Sequence, residues 1–255
     1  MAEPAETTPN TAPAEPIVLA TGNPHKVAEM RAILAPLGLA IATLADLSRS
    51  VPEPAETGDT FEANATIKAL AYARATGRVC LADDSGLEVD ALDGAPGVIS
   101  SHFATGGVEL GHSRETRDAD NNRALLRALD RVPFESRGAR FVCVMCLAAA
   151  SPDAARRAGL SLSVPAHEDE PVVLVRVRGT FEGRIGLPGP ANAGHPGGGV
   201  PRGTSGFGYD PLFLVAPAFV RTSAEFSPDE KNGVSHRGRA AALLADRLAR
   251  LRTIR

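Results

Sequence analysis

Val79-Cys80-Leu81-Ala82-Asp83-Asp84-Ser85-Gly86 decides the fold prediction, because a short apolar run typical of a buried strand ends here in two adjacent carboxylates and a Gly-containing turn. An unpaired buried carboxylate costs on the order of several kcal/mol, so the pair predicts a cation nearby. A divalent metal, a magnesium ion carried by a phosphate, or a water molecule awaiting deprotonation would each explain the pair. A solvated turn is the alternative, since Asp, Ser and Gly are common turn residues.

The composition indicates a globular chain that is large enough for a full core. Its 255 residues are 44% hydrophobic, which predicts one large domain or two small lobes. The formal net charge of -3 excludes a broad basic surface of the kind that binds nucleic acid without regard to sequence. No apolar run approaches the roughly 20 residues of a membrane helix, so a membrane partner is not expected.

The N-terminal segment and the cysteines bear on location. Residues 1–16 lack the basic and apolar regions of a signal peptide, and their polar, proline-rich composition predicts a disordered leader. Three cysteines fit a reducing cytoplasm better than a disulfide framework. Cys143 and Cys146 have CxxC spacing, but they lie in an apolar strand-like run whose positions i and i+3 face opposite ways. This placement disfavours a shared metal or redox site.

Lysine is rare in this chain. Of its 27 basic residues, three are lysine, Lys26, Lys68 and Lys231, and the rest are arginine. Arginine serves wherever a solvated positive charge is enough, whereas lysine offers a compact ammonium group. The three lysines are therefore candidate site residues, and each lies in a segment that other features also select.

The first such segment joins a predicted strand to a predicted helix. Ile17–Ala20 is a short buried-strand run, and Thr21-Gly22-Asn23-Pro24-His25-Lys26 follows it. Asn23 is a suitable N-cap and Pro24 suits the first helical position, so a helix starts here. The N-terminus of this helix, with Lys26 one turn in, favours an anion. An ordinary capped connection between strand and helix is the alternative.

Lys68 lies in the middle of a second predicted helix, which covers about residues 61–76. Because its neighbours along the helix are Ala, Ile and Leu, its side chain must either extend outward to water or point into a polar cleft. Glu56 closes a linker rich in Pro and Glu that precedes this helix, and Asp59 with Glu62 resembles a capping box at its start.

The middle of the chain predicts a helix and two long strands. The helix covers about 114–131, and the simplest interpretation of its charges is a solvated face. The strands cover 139–150 and 171–185. Stretches 151–170 and 187–203 are predicted to be irregular, and irregular segments of this length are usually flexible excursions or lids.

The Gly-rich segment 203–211 holds Phe207 and Tyr209 in a chain that has nine Phe, two Tyr and no Trp. Rings in such a turn favour a platform on which a nucleobase stacks for roughly 1 to 3 kcal/mol, although they could equally plug the end of the core. Further on, Lys231, His236 and Arg237 surround the start of another helix, which predicts a second site for an anion or a polar base. The alternative for His236 is a surface position on a capped helix.

One ligand explains all of these segments, namely a nucleoside triphosphate with Mg²⁺. Lys26, Lys68 and the first helix N-terminus would hold phosphates, and the acidic residues would hold the metal and activate water. Lys231, His236 and Arg237 would contact the edge of the base or the ribose. The aromatic turn would stack on the base. Hydrogen-bond donors aimed at a carbonyl would favour a 6-oxo purine over a 6-amino purine.

Six segments in order resemble the inosine/xanthosine triphosphate pyrophosphatase family. They are Thr21–Lys26, Glu56–Asn64 with Lys68, Ala82–Asp90, Gly94–Gly97, Gly206–Pro211 and Ser235–Gly238. The resemblance implies a mixed α/β fold with an elongated central sheet and two lobes around a nucleotide cleft, formed by a single catalytic domain over residues 17–255. It also implies a Mg²⁺-dependent, homodimeric enzyme that cleanses the nucleotide pool by hydrolysing ITP, dITP and XTP to the monophosphate and pyrophosphate.

The resemblance assigns a role to each motif residue. Asp84 becomes the general base and a metal ligand, Glu56 becomes a second acidic group near the metal, and Asp83 supports the metal or its water. The remaining site residues are assigned to substrate binding: Thr21, Gly22, Asn23, Pro24, His25, Lys26, Lys68, Ser85, Phe207, Gly208, Tyr209, Asp210, Lys231, His236 and Arg237.

Two rival functions stay open at this stage. A Maf-like pyrophosphatase shares the fold and the reaction type but acts on pyrimidine or modified nucleotides, and the segments around Phe207 and His236 favour the purine family instead. A sensor would bind a purine nucleotide without cleaving it, but Asp84 would then only repel the phosphates. Family members are usually shorter than this chain, and the extra residues of 187–203 directly precede the aromatic turn, where they could alter access to the base.

Overall fold

The computed structural model describes residues 14–35, 38–161, 167, 170–190 and 197–251. Most of the predicted leader, residues 1–13, lies outside the described residues, as do parts of the predicted insertions at 162–166, 168–169 and 191–196. No helix among the described residues is long and apolar enough to cross a membrane.

A six-stranded mixed sheet forms the centre of the fold, in the order β2-β1-β3-β4-β5-β8. The inner strands β3, β4 and β5 are long and antiparallel, whereas β1 pairs in parallel with both β2 and β3. A small separate pair is formed by β6 and β7. The strands are β1 Ile17–Leu19, β2 Ile41–Thr43, β3 Val79–Val89, β4 Gly138–Ala149, β5 Val172–Ile185, β6 Leu187–Pro188, β7 Gly198–Val200 and β8 Phe213–Val215.

Within the residues that the structure describes, six α-helices flank this sheet. They are α1 Pro24–Leu34, α2 Phe61–Thr76, α3 Arg114–Ala128, α4 Pro152–Arg157, α5 Pro228–Val234 and α6 His236–Leu251. The predicted mixed α/β class with an elongated central sheet is confirmed. The predicted helix at about 114–131 ends three residues early, and the predicted irregular stretch 151–170 contains α4, which Ser151 caps through its side chain.

The carboxylate pair lies in the middle of a strand and not at its end, so the predicted turn is wrong. Strand β3 continues through Asp84 to Val89, with Asp83 opposite Met145 and Asp84 opposite Val144 on β4. Consecutive side chains of a strand point to opposite faces of the sheet. The two buried carboxylates therefore enter different layers of the protein.

Each face of the sheet has its own core. One face packs Leu81 and Met145 against α1 and α6, while the other packs Ala82 and Val144 against α2. Cys143 belongs to the first core and Cys146 to the second, so the CxxC residues face opposite ways as predicted. A third core at the far ends of β3 to β5 joins α3 to the aromatic turn.

The N-cap of the helix that carries Lys68 is Thr60 and not Asp59. The Thr60 hydroxyl accepts a hydrogen bond from the backbone N–H of Ala63 at 3.1 Å, which satisfies one of the free donors of the first turn. The helix ends at Gly77, whose φ of 70° is left-handed. The capping box that the sequence predicts for Asp59 and Glu62 is therefore wrong, although the predicted span of the helix is right.

We predict that Gly179→Ala destabilises the protein by about 2 kcal/mol, because α6 crosses β5 too closely for a side chain at this position. A Cβ atom at Gly179 would overlap with the carbonyl of His236 and the amide of Ala240. Chemical denaturation followed by circular dichroism measures the loss. Gly233→Ala on α5 is the control, since a Cβ atom there meets no atom within 4 Å; equal stability of both variants would contradict the prediction.

Candidate active site

A cleft of about 1000 Å³ collects the sequence-predicted site residues. The ends of β1 and β3, the N-termini of α1, α3 and α6, and the aromatic turn all contribute to its walls. Among the predicted residues, only His25 has a side chain that lies outside the described parts of the structure. The predicted residues that line the cleft are Thr21, Gly22, Asn23, Pro24, Lys26, Glu56, Lys68, Asp83, Asp84, Ser85, Phe207, Gly208, Tyr209, Asp210, Lys231, His236 and Arg237.

Lys68 lies between two carboxylates on the α2 side of the sheet. Its Nζ atom is 2.8 Å from Glu56 Oε1 and 3.3 Å from Asp84 Oδ1. Burial would lower the pKa of Lys68, but Asp84, Asp83 and Glu56 together raise it above its usual value. Lys68 is therefore a buried, permanently charged ammonium group that points into the cleft and not outward to water.

Asp84 is a buried carboxylate with unused bonding capacity. Burial raises the pKa of Asp84 above its ordinary value, even though Lys68 opposes the shift. Its Oδ1 atom accepts a hydrogen bond from the backbone N–H of Ser85, whereas its buried Oδ2 atom has no hydrogen-bond partner among the described residues. A proton acceptor of raised basicity that lines a cleft is suited to activate a water molecule.

Asp83 has the opposite environment on the other face of the strand. Its Oδ2 atom is 3.0 Å from Lys26 Nζ on α1 and 3.6 Å from Arg237 Nε on α6. Burial alone would raise the pKa of Asp83, but Lys26 and Arg237 outweigh it and hold this pKa far below its usual range. Asp83 is therefore a permanent anion that fixes two cations at the cleft.

Arg237 is buried and held by three groups. Besides Asp83, its Nη1 donates to Glu29 Oε2 at 2.9 Å and its Nη2 donates to Ser85 Oγ at 2.8 Å. The sequence analysis missed Glu29. Its position was recognisable in principle, because it follows Lys26 by three residues on α1 and so shares a helix face with it.

His236 is buried, which rules out a surface position. Its ring stacks on Phe141 with the centroids 5.2 Å apart and an interplanar angle of 21°. Burial, aided by Arg237 and Lys231, lowers the pKa of His236 well below its ordinary value, so the ring is neutral at neutral pH. The buried Nδ1 atom has no partner among the described residues and could bond a polar group in the cleft.

The two aromatic residues of the turn have different roles. The Tyr209 side chain is buried in the third core, and its hydroxyl donates to the carbonyl of Ser100 at 2.8 Å, so Tyr209 plugs the core. Phe207 is only partly buried and lines the cleft. Asp210 Oδ2 accepts from Phe207 N at 2.8 Å and pairs with Lys231 Nζ at 2.5 Å, which fixes the turn that presents the ring.

One face of α3 contacts this turn. The sequence predicts that the charged face of this helix is solvated, and these contacts show that part of it is not. Asp118 accepts a hydrogen bond from the backbone N–H of Gly208 at 2.9 Å, and Asn122 donates to the carbonyl of Gly208 at 3.1 Å. Arg114, one helical turn before Asp118, lies with its guanidinium carbon 4.7 Å from the centre of the Phe207 ring. These three residues recur every four positions and therefore share a helix face.

The metal prediction rests on Asp84 and Glu56. Within the described residues, no group of three or more His, Cys, Asp and Glu side chains is arranged to hold a metal ion. Mg²⁺ is commonly bound by one or two carboxylates together with substrate phosphates. Asp84 and Glu56, which lie on either side of Lys68, fit such an ion, and the Asp84 Oδ2 atom that has no hydrogen-bond partner is available as a ligand. Asp83 lies apart from them on the other face of the strand, where Lys26 engages it.

Comparison with known proteins gives one consistent family. The sequence model of the Ham1 family matches residues 17–247. A relative from Exiguobacterium named dITP/XTP pyrophosphatase is 43% identical over 224 residues, which cover 88% of this chain and 92% of the relative. A relative of the same name from Nitratidesulfovibrio vulgaris is 45% identical over 230 residues, covering 90% and 94%. The solved structure of a HAM1 protein from Coxiella burnetii is 37% identical, with a TM-score of 0.68 over 92% of this chain and 98% of that protein.

We predict that the two neighbouring aspartates differ in what they do for stability. Asp83→Asn should lower the free energy of unfolding at pH 7 by about 3 kcal/mol, because it removes the anion that Lys26 and Arg237 share. Asp84→Asn should leave that free energy unchanged or raise it, because burial already disfavours the charged form and Lys68 keeps Glu56. Denaturation curves of the two isosteric variants provide the measurement.

The dependence of the free energy of unfolding on pH at acid pH checks the same prediction. Since the folded pKa of Asp83 lies below the unfolded value of about 3.9, its contribution is present above that pH and is lost as the pH falls toward the folded pKa. Asp83→Asn should therefore reduce the loss of stability below about pH 4. Similar profiles for wild type and Asp83→Asn would contradict the assignment.

Proposed function

Because this chain belongs to the Ham1 family, we propose that it is a nucleoside triphosphate pyrophosphatase that acts on non-canonical purine nucleotides such as ITP, dITP and XTP. The reaction is hydrolysis of the bond between the α and β phosphates, which yields the nucleoside monophosphate and pyrophosphate. The names of the chain's relatives support both the reaction and the substrate class.

One observation carries this proposal, namely the meeting of a water-activating carboxylate and a set of cations in one cleft. Asp84 lies within 3.3 Å of the buried cation Lys68, and the same cleft holds Lys26, Lys231 and Arg237. Several fixed cations around one carboxylate suit a polyanion that is attacked by water. A base-stacking ring, Phe207, lines the same cavity.

We assign the phosphates to the strand–helix connection and to Lys68. The N-terminus of α1 offers backbone N–H groups, and Lys26 is held beside it by Asp83. Lys68 reaches the cleft from α2 on the other side of Asp84. A triphosphate lying between the two lysines has its reacting phosphorus close to Asp84, which accepts the proton of the attacking water.

We propose that Mg²⁺ is held by Asp84 and Glu56 together with the substrate phosphates, and that Asp83 supports it indirectly by fixing Lys26. When bound, such an ion withdraws charge from the phosphates and lowers the pKa of a coordinated water. Lys68 holds the two carboxylates in place before the substrate arrives, because its ammonium contacts both of them.

We assign recognition of the base to Phe207, His236 and Arg237. Phe207 offers a ring for stacking, and Arg237 is a permanent donor whose pKa is raised further by Glu29 and Asp83 despite its burial. The neutral His236 can offer one N–H group to a carbonyl. A 6-oxo purine satisfies such donors, whereas a 6-amino purine would place donor against donor.

The wider role follows from the reaction and the family resemblance. We propose that the enzyme removes damaged purine nucleotides from the nucleotide pool, works as a homodimer in the cytoplasm, and uses residues 17–255 as a single catalytic domain. The family match over 17–247 supports the domain, and the three buried free cysteines fit a reducing compartment. The dimer is supported by the resemblance alone.

Two other functions are less well supported. A Maf-like enzyme for pyrimidine nucleotides would share the reaction, but the Ham1 match and the buried His236–Arg237 pair favour purines. A nucleotide sensor would gain nothing from the raised pKa of Asp84, which costs stability and serves proton transfer.

A panel of triphosphates assayed side by side tests the proposal. With Mg²⁺, the purified protein should release pyrophosphate from ITP, dITP and XTP at least about 100-fold faster, in kcat/KM, than from ATP, because the 6-amino group of adenine places a donor against the donors of the site. GTP shares the 6-oxo group, and it should also be slower because the family resemblance implies non-canonical purine substrates. Equal rates on all five would remove the specificity claim. Orthophosphate as the direct product would overturn the reaction class, and a preference for dTTP or UTP would favour the Maf-like alternative.

We predict that Asp84→Asn loses turnover but keeps nucleotide binding. The amide cannot accept the water proton, so kcat should fall by about 1000-fold or more, while Lys26, Lys68 and Arg237 still hold the substrate. Rapid-mixing assays measure kcat, and calorimetry with ITP measures the dissociation constant. Loss of binding in proportion to the loss of rate would argue that Asp84 only shapes the site.

A further inference from the structure

Arg114 is a charged residue at the cleft that none of the assignments above uses. It is the first residue of α3, directly after the N-cap Ser113, and it lines the cleft opposite the strand–helix connection. The face of α3 that it shares with Asp118 and Asn122 is bound to the aromatic turn through Gly208. The backbone of Arg114 is therefore held in place, while its long side chain reaches across the cavity.

The partners of Arg114 in this structure are a ring and an amide. Its guanidinium carbon lies 4.7 Å from the centre of the Phe207 ring, and its Nη1 atom donates to Asn23 Oδ1 at 3.3 Å. Among the described residues, the ion pairs found include none between Arg114 and a carboxylate. A partly buried guanidinium that faces a cavity without an anionic partner is arranged to receive its anion from a ligand.

The same two contacts show where that anion would lie. Asn23 belongs to the connection assigned to the phosphates, and Phe207 is the ring assigned to the base. Arg114 joins these two sites, which are 184 positions apart in the chain. It also covers one part of the ring on which a base must stack, so the arrival of a base and the departure of Arg114 from the ring are linked.

We propose that Arg114 is a nucleotide-binding residue that leaves Phe207 when the base stacks and then binds the phosphate chain beside Asn23. This inference rests on the proposed function, because it takes the cleft to hold a triphosphate. The guanidinium exchanges a weak contact with a ring for charge-assisted hydrogen bonds with phosphate oxygens. One side chain thereby couples recognition of the base to capture of the phosphates.

The test separates the two halves of the ligand by using inorganic pyrophosphate and inosine as probes. Calorimetry at fixed ionic strength should give Arg114→Ala a dissociation constant for pyrophosphate about tenfold above that of wild type, which corresponds to about 1.4 kcal/mol. Inhibition by inosine should be unchanged or stronger in the variant, because the Arg114 guanidinium no longer competes with the base for the Phe207 ring. The KM for ITP should rise about tenfold as well.

The controls keep a structural effect apart from a loss of binding. Arg127→Ala removes an exposed arginine from the last turn of the same helix, outside the cleft, and should leave both probes at wild-type values. Arg114→Gln keeps most of the side-chain stem and should show the same loss of pyrophosphate binding as Arg114→Ala. Circular dichroism melts confirm that the variants compared are folded.

Each outcome is decisive. Unchanged pyrophosphate binding in both Arg114 variants overturns the inference, and so does weaker inosine inhibition with normal pyrophosphate binding, which would make Arg114 a residue of the base site alone. If the wild type cleaves none of the nucleotides in the panel but pyrophosphate binding still depends on Arg114, the phosphate assignment stands and the proposed function fails.

Discussion

The burial of two adjacent carboxylates inside one strand is the constraint on which the rest of the structure depends. Asp83 and Asp84 are both buried, and neither could stay ionised there without a cation. Because a strand sends consecutive side chains to opposite faces, a single cation cannot form a direct ion pair with both. Each layer of helices must supply its own, and each does: Lys26 and Arg237 come from α1 and α6, and Lys68 comes from α2. The docking of three helices on the sheet is thus tied to the charges of two neighbouring residues. The same ion pairs that complete the core place cations around the cleft.

The two carboxylates have different roles, since Asp83 contributes to stability and Asp84 to chemistry. The cations around Asp83 outweigh its burial and lower its pKa, so this residue is a fixed anion whose function is to hold Lys26 and Arg237. Burial dominates at Asp84 and raises its pKa, so this residue is the more basic of the pair. A reactive group is costly to keep in a protein interior. Here the cost at Asp84 is offset by the stable ion pairs one residue away, which allows a buried proton acceptor to lie on a central strand instead of a loop.

Local features made much of this arrangement predictable from the sequence. The sequence predicts the observed limits of α2 because a glycine, Gly77, follows the helical pattern, and it predicts the start of α1 because Asn23 and Pro24 suit a helix N-terminus. The rarity of lysine selected three residues that do meet in one cleft. The turn predicted at Gly86 is wrong for a physical reason. The 3₁₀ helix Gly97–Thr105, which contains Ser100, approaches the strand so closely that a Cβ atom at Gly86 would overlap with Ser100, so the glycine provides space within a strand. The contacts of α3 were unpredictable because Asp118 and its partner Gly208 are 90 residues apart, and charges on a helix face resemble a solvated surface until that partner is known.

The cations of the cleft also connect affinity with specificity. Lys231 and Arg237 contribute to the lowered pKa of His236 once burial has disfavoured its charged form, so the same charges that attract a polyanion keep the imidazole neutral. A neutral ring has one donor and one acceptor nitrogen, and its stacking on Phe141 fixes where these point. If the cations were fewer, the ring would protonate more readily and both nitrogens would become donors. The charges of Lys231 and Arg237 therefore help to set the polar edge that the base meets. Affinity and specificity are not independent in this fold, because Arg237, which neighbours His236 in the chain, is anchored by the same Asp83 that fixes Lys26.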